Sequence, residues 1–98
     1  MKMFYDNTND HIYCINAFAH KEILKAMGFR WNHIGNAWFI ACPKDLTVMG
    51  NLICDVFVDC KVDYFDLCEF LNALYVVKGE FSMDDAHLAK FQAATENI

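Results

Sequence analysis

Short runs in which apolar and polar residues alternate predict the strands of this chain. The runs MKMFY and HIYCINA flank the cluster DNTND, whose Asn and Asp residues are typical of a tight turn. A second pair of runs, FRWN and AWFIAC, flanks HIGN, in which Gly35 and Asn36 are expected to supply the positive φ angles of a hairpin turn. The segment CDVFVDC alternates once more. This pattern predicts two β-hairpins and, later in the chain, a fifth strand.

Apolar residues at helical spacing predict a first pair of helices between and after the hairpins. The segment AHKEILKAMG is expected to form a helix that ends at Gly28, where a positive φ angle stops it. Its apolar face holds Ala19, Ile23, Leu24 and Met27. The segment PKDLTVMGNLI is expected to form a second helix, with Pro43 in its first turn and Gly50 weakening its end.

The clearest helical pattern lies in DYFDLCEFLNALYVVKG. Asp63 is expected to cap this helix, Asp66 to lie near the positive end of its dipole, and Gly79 to end it. Its apolar stripe comprises Tyr64, Leu67, Cys68, Leu71, Leu74 and Tyr75. Ser82 is then expected to cap a last helix that runs through about Ala93.

The predicted element order is ββα-ββα-β-αα. This order is typical of an α+β domain, here an antiparallel sheet of about five short strands with three to four helices. We expect residues 1–98 to form a single domain. Within it, residues 11–45 form a helix–hairpin module, and residues 55–98 form an acidic strand–helix–helix half.

The composition favours a packed protein that does not cross a membrane. The chain has 98 residues, of which 56% are hydrophobic, so it resembles neither a linker nor a disordered segment. No apolar run approaches the roughly 18 residues that a spanning helix requires. The start MKMFYDNTND lacks the apolar stretch of a signal peptide. We therefore expect a cytoplasmic location, in a host cell if a phage encodes the protein.

The cysteines indicate neither disulfides nor a metal site. An odd number of cysteines without a secretion signal favours buried free thiols over a disulfide framework. The five are Cys14, Cys42, Cys54, Cys60 and Cys68. No C-x-x-C pair occurs, and the four histidines do not fall at zinc-ligand spacing. We expect no metal and no cofactor.

The motifs of common enzymes are absent from the chain. It contains no P-loop, no G-x-G-x-x-G, no G-x-S-x-G and no H-E-x-x-H. A cysteine–histidine pair remains open, because such partners need not be close in sequence. So does acid–base chemistry by carboxylates, for which the candidates are Asp55, Asp59, Asp63 and Asp66. The prediction is a non-enzymatic protein, with an unrecognised enzyme or small-molecule binder as an alternative.

Charge is unevenly distributed along the chain. The net charge is −5, yet residues 20–54 are mildly basic and residues 55–98 are clearly acidic. Overall acidity argues against a general nucleic-acid binder, whose affinity comes largely from neutralising phosphates. The carboxylates that we expect to form an acidic interaction face are Asp55, Asp59, Asp63, Asp66 and Glu69.

One third of the chain resembles a known module. Residues 11–45 contain a strand, a helix with K-E-x-x-K-x-x-G, then F-R-W-N, a turn and A-W-F. This layout resembles a small bacterial domain of unknown function found on primase- and helicase-like proteins of plasmids and phages. More distantly, it is similar to the HARP module of annealing helicases. The matching positions are Leu24, Lys25, Gly28, Arg30, Trp31, Trp38, Phe39 and Pro43.

The resemblance implies a role beside nucleic-acid enzymes without catalysis by the module itself. Carried over to this chain, it makes Lys21, Lys25, Arg30 and Trp31 candidate contacts to a phosphate backbone or a base. Each also has a purely structural interpretation. Trp38 is expected in the core with Trp31 beside it, Arg30 over an aromatic ring, and the two lysines on a solvated helix face.

Two functions from different classes follow from these observations. The first is a small acidic interaction protein of a phage or other mobile element. It would bind and inhibit a host nucleic-acid-handling complex, such as a CRISPR-type defence complex, and its carboxylates would mimic nucleic-acid charge. The second is an auxiliary nucleic-acid-binding module of replication or repair type, which would use the basic and aromatic residues of the hairpin.

Overall fold

The computed structural model describes residues 1–96, and four strands in it form one antiparallel sheet. Strands β1 (Lys2–Asp6) and β2 (His11–Ile15) form the first hairpin, and β3 (Arg30–Asn32) and β4 (Ala37–Ala41) form the second. The strand order is β1-β2-β4-β3, so the two hairpins join through their second strands. Both predicted hairpins are confirmed, and β1 and β3 form the edges of the sheet.

Within residues 1–96, one α-helix lies between the two hairpins and three follow the sheet, which completes an α+β fold. A 3₁₀ turn over Phe18–His20 leads into α1 (Lys21–Ala26), which lies between the two hairpins. After the sheet come α2 (Leu46–Asp59), α3 (Tyr64–Lys78) and α4 (Asp85–Thr95). No helix within residues 1–96 combines the length and the apolar character that a membrane crossing would need.

The predicted fifth strand is wrong, because CDVFVDC forms the second half of α2. The prediction followed the alternation of Cys54, Val56 and Val58 with acidic residues. The same residues also satisfy a helical period, since Met49, Ile53, Val56 and Cys60 are all buried. Burial of that stripe against the sheet and α4 overrides the strand propensity of valine. The element order is therefore ββα-ββ-ααα, and the acidic half begins inside a helix.

Several predicted helix boundaries also shift. The cap of α2 is Asp45, whose side chain accepts from the backbone N–H of Thr47 and Val48 at 2.9 Å, so Pro43 precedes the helix. The cap of α4 is Asp84 and not Ser82, whose hydroxyl lies 2.6 Å from that of Thr47.

Other glycine and cap predictions divide between confirmed and wrong. Asp63 caps α3, and Gly28 and Gly79 have positive φ angles where helices end. Of the hairpin-turn pair, only Asn36 has a positive φ, and Gly35 does not. The predicted stripe of α3 is rotated, since its buried residues are Leu67, Phe70 and Leu74.

The two faces of the sheet have different surroundings. On the inner face, Met3, Ile12, Cys14 and Trp38 are buried with residues of α1, α2 and α3 in one core. The outer-face positions alternate with these along each strand, and Ala37 is buried among them. The remaining outer-face residues are partly or largely exposed: Lys2, Phe4, Asp6, His11, Tyr13, Ile15, Arg30, Asn32, Phe39 and Ala41.

A charged cluster fixes α4 against α2. The Lys90 ammonium lies 2.9 Å from Asp55 and 3.0 Å from Asp59, and these two carboxylates are one turn apart on α2. His87 lies 2.8 Å from Asp84 through Nδ1 and 3.2 Å from Asp55 through Nε2. Hydrogen bonding to Asp84, with a further contribution from Asp55, raises the pKa of His87 above its ordinary 6.5.

We expect the stability of the fold to fall as pH rises through the folded-state pKa of His87. Its ion pairs contribute fully below pH 6.5, the ordinary histidine value, and are lost as the imidazolium deprotonates. For such a partly exposed pair the loss is about 0.5 kcal/mol. Urea unfolding between about pH 6 and about pH 8 measures this loss. The range ends below the ordinary thiol pKa of about 8.5, so that the cysteines do not contribute to the slope. His87→Gln should flatten the profile, whereas His33→Gln in the exposed hairpin turn should not; equal slopes in all three proteins would contradict the assignment.

Candidate nucleic-acid interface

A cleft of ≈ 560 Å³ opens between α1 and the hairpin of β3 and β4. Its volume is within the range of sites that hold small organic ligands. Three of the four predicted nucleic-acid contacts line it, namely Lys21, Lys25 and Trp31. Its other lining side chains include Asn16, Phe18, Asn36 and Trp38. Residues that are separate in sequence therefore form one concave surface.

The local backbone places these groups around the cleft. At the end of β2, Asn16 adopts a positive φ of 53°, which turns the chain into the 3₁₀ turn that carries Phe18. Lys21 and Lys25 are four residues apart, so both amines extend from the same face of α1. On the opposite side, Trp31 pairs directly with Trp38 across the hairpin.

The aromatic rings differ in exposure, and this difference assigns their roles. Trp38 is 8% exposed and forms part of the core, as predicted, whereas Trp31 is 46% exposed on the edge strand. Their ring centroids are 5.4 Å apart at 55°, so the core residue supports the exposed one. Phe18 is 79% exposed at the other side of the cleft. The cleft therefore presents two accessible rings, at two of its sides.

Both lysine amines lie close to aromatic rings. The Nζ of Lys21 is 4.4 Å from the centroid of the Phe18 ring, and that of Lys25 is 5.8 Å from the Trp38 ring. Lys25 also lies 3.5 Å from Glu22, an exposed pair that holds it only weakly. The amines are thus held beside the π surfaces of the cleft and keep hydrogen-bond donors for an anionic ligand.

Cys14 is the only thiol among the residues that line the cleft in the described part of the chain. Its side chain is fully buried, and burial raises its pKa to about 12. Burial likewise raises the pKa of Cys60 to about 11. Thiols in this state are not nucleophiles at neutral pH. Within residues 1–96, no histidine lines the cleft beside Cys14 to activate it.

Arg30 does not line the cleft, although it is adjacent to Trp31 in sequence. Successive residues of a strand point to opposite faces, so Arg30 lies on the outer face of the sheet. Its partner across the hairpin there is Phe39. The fourth predicted contact therefore belongs to a different surface from the other three.

The five predicted acidic-face residues are divided between two helices. Asp55 and Asp59 lie on α2, where both form ion pairs with Lys90 of α4. Asp55 also lies within ion-pair distance of His87. The other three belong to α3: Asp63 caps it, Asp66 lies in its first turn, and Glu69 is 3.7 Å from Lys2. The predicted fifth strand, which contains Asp55 and Asp59, is wrong, because both residues are helical. Of the five predicted residues, the three that belong to α3 form no ion pair with α4 among the described residues.

Apolar side chains accompany the acidic residues on the surface of α3. Phe65 is 69% exposed and Val76 is 83% exposed, with Tyr64, Tyr75 and Val77 also accessible. Phe65 and Val76 are eleven residues apart, which places them on the same side of the helix. Exposed apolar surface of this kind is typical of a protein interface.

No family model matches the chain, and neither the curated proteins nor the solved structures provide a match. Within residues 1–96, no group of three or more His, Cys, Asp or Glu side chains is placed to hold a metal ion. The site is therefore interpreted from its own chemistry.

The lysines of the cleft are among the residues predicted from the sequence, whereas about half of its other lining residues are not. The wall residues without a predicted role in binding include Asn16, Phe18, Asn36 and Trp38, and the sequence predicts Trp38 as a core residue alone. One signal was available, since Phe18 precedes Lys21 by three residues and shares its side of the helical turn. The two asparagines had no sequence signal beyond their place in turns.

Proposed function

We propose that this protein binds single-stranded nucleic acid through the cleft and has no catalytic role of its own. The observation that carries the proposal is the convergence of two ammonium groups and two accessible aromatic rings on one concave surface. Proteins bind unpaired strands by combining cations for the backbone with rings on which bases stack. The resemblance of residues 11–45 to modules of primase- and helicase-like proteins supports an auxiliary role in replication or repair.

Each part of a nucleotide has a counterpart in the cleft. A base is accepted against the exposed face of Trp31, with Phe18 on the other side, because every base has a π surface. The adjacent phosphates meet the amines of Lys21 and Lys25. The side-chain amides of Asn16 and Asn36 provide donors and acceptors for a base edge. Bases within a duplex are inaccessible to such a cleft, so the preference is for single strands.

The acidity of the whole chain does not extend to this surface. The lysines of α1 have only Glu22 as an acidic neighbour on that helix, while the carboxylates of α2 and α3 lie on other elements. Within residues 1–96, no carboxylate lines the cleft. Binding is therefore governed by the local positive charge, and its affinity is modest.

Replacing both cleft lysines should weaken binding and reduce its salt dependence. Each phosphate contact to a single strand contributes a slope of about −0.7 to the plot of log K against log salt concentration. The Lys21→Gln/Lys25→Gln variant should therefore have a slope that is less negative by about 1.4. Fluorescence anisotropy with a labelled oligothymidine at several salt concentrations measures both effects. Lys44→Gln, an exposed lysine outside the cleft, is the control. Equal slopes for wild type and double variant would contradict the proposal, as would absence of binding at low salt.

A second candidate is an interaction protein that inhibits a host nucleic-acid-handling complex in the cytoplasm of an infected cell. The exposed apolar surface of α3, beside Asp63, Asp66 and Glu69, favours it. The partner would be a defence complex of the CRISPR type, and the protein would come from a phage or other mobile element. Inhibition of a purified complex by wild type, lost in Phe65→Ser and retained in Trp31→Ala, would select this function over the first.

A further inference from the structure

We infer that the outer face of the sheet is a second stacking surface for the same single strand, continuous with the cleft around the β3 edge. This inference rests on the proposed function. The face carries one row that crosses all four strands, because the pairing register joins Phe4 to Tyr13, Tyr13 to Phe39, and Phe39 to Arg30. Three aromatic rings and a guanidinium, each with a flat π surface, thus stand side by side.

The row is not part of the core. The buried core cluster and the hydrophobic residues packed against it include inner-face positions such as Met3 and Trp38, but none of the aromatic residues of the row. Phe4 is 42% exposed, and the rings of Tyr13 and Phe39 are 5.9 Å apart with His11 beside them. A four-stranded sheet whose aromatic residues stack two or three bases is an established way to bind unpaired strands.

The charged groups of this face include a cation that can contact phosphate. Arg30 is exposed at one end of the row, and Lys2 lies on the same face at the β1 edge, although it is shared with Glu69. The single acidic residue among the outward strand positions is Asp6, and the loop that follows it engages its carboxylate through Thr8 and Asn9. Among the described residues, the guanidinium is the cation of this face without an acidic partner, and a guanidinium binds phosphate or stacks on a base.

The two surfaces meet at the edge strand β3. Trp31 lines the cleft, and Arg30, the preceding residue, ends the row on the other face. Because β3 has only three residues and no strand beyond it, a nucleic-acid strand can pass around this edge. This arrangement explains why the candidate contacts in the hairpin lie on both sides of the sheet. The cleft receives the first base, and the row receives the bases that follow.

Probe length separates the two surfaces. Anisotropy with labelled oligothymidines of about four and about twelve nucleotides is compared for wild type, Tyr13→Thr/Phe39→Thr and the matched control Ile15→Thr. Threonine retains strand propensity, and Ile15 lies on the same face outside the row. The double variant should lose about tenfold to a hundredfold in affinity for the long probe and little for the short one. Phe4→Thr, on the edge strand, should lose less affinity for the long probe than the double variant does. It replaces the double variant in the test if that variant does not fold.

The outcomes distinguish this inference from the proposed function. If the row variants bind the long probe with unchanged affinity, the row is not a binding surface. The proposed function of the cleft is still supported in that case if Trp31→Ala lowers the affinity for the short probe. A loss in the row variants together with normal binding by Trp31→Ala supports the row and overturns the cleft. Failure of every probe to bind overturns both. Dimerisation that the row variants abolish, without binding of any probe, would make the face a contact between copies of the chain and overturn the inference.

Discussion

Trp31→Ala should weaken binding of a short single-stranded oligonucleotide by about tenfold to a hundredfold, since one stacked base contributes about 1–3 kcal/mol. The substitution removes the exposed ring of the cleft, while the core ring of Trp38 remains. Trp31→Phe should recover part of the loss because it restores a π surface. Anisotropy with the short probe measures the affinities.

The control for this variant is Phe65→Ala. Phe65 is also an exposed aromatic residue, but it lies on α3 and does not line the cleft. Its replacement should leave the affinity within about twofold, the limit of an effect below 0.5 kcal/mol. Thermal unfolding must show that both variants remain folded. Equal affinity of Trp31→Ala and wild type would remove the cleft from the binding surface.

Gly50→Ala should destabilise the fold by about 3 kcal/mol or more, the upper range for overpacking a well-packed site. A β-carbon at this position would overlap the carbonyl oxygen of Ser82, and it would lie 2.8 Å from the carbonyl carbon and 2.9 Å from the ring of Phe81. The obstruction is backbone, so it cannot be relieved by a change of rotamer. The segment before α4 crosses α2 at this glycine and would have to move away.

Gly35→Ala is the matched control for this prediction. Its β-carbon would have Asn32 as its nearest neighbour, at 3.9 Å, and its φ angle is not positive. We expect its unfolding free energy to stay within about 0.5 kcal/mol of wild type. In an unobstructed helix, alanine would instead be favoured over glycine by about 1 kcal/mol. A stabilised Gly50→Ala variant would therefore show that the crossing is looser than described.

The hairpins could be predicted from the sequence because their turns carry residues that favour few other conformations. The Asn and Asp cluster after β1 and the Gly-Asn turn after β3 both favour tight reversal, and the alternation on either side agrees with them. The prediction for the second half of α2 was wrong for the opposite reason. Its apolar residues, from Ile53 to Cys60, satisfy a period of two and a period of 3.6 at once. The docking of α4 through Lys90, which follows Asp55 by 35 residues and Asp59 by 31, has no local signal in the sequence.

The candidate site was predicted as a set of residues but not as a surface. Lys21, Lys25, Arg30 and Trp31 are candidates through the resemblance of residues 11–45, and helical spacing places the two lysines on one face of α1. That Arg30 lies apart from them follows from strand alternation and could have been derived once β3 was assigned. The spacing of Phe18 from Lys21 indicates that the two share one side of the helical turn. The approach of Phe18 to the sheet could not be derived, because it depends on the turn at Asn16 that places the 3₁₀ segment there.

The most direct test of the cleft is tryptophan fluorescence during titration with a short single-stranded oligonucleotide. The chain has two tryptophans, and both line the cleft, so the emission reports this surface alone. A base that enters the cleft contacts Trp31, so we expect a saturable change in emission that matches the anisotropy curve and diminishes at high salt. Saturated binding by anisotropy with unchanged emission would contradict it, as would no response to single-stranded, duplex or forked probes at low salt.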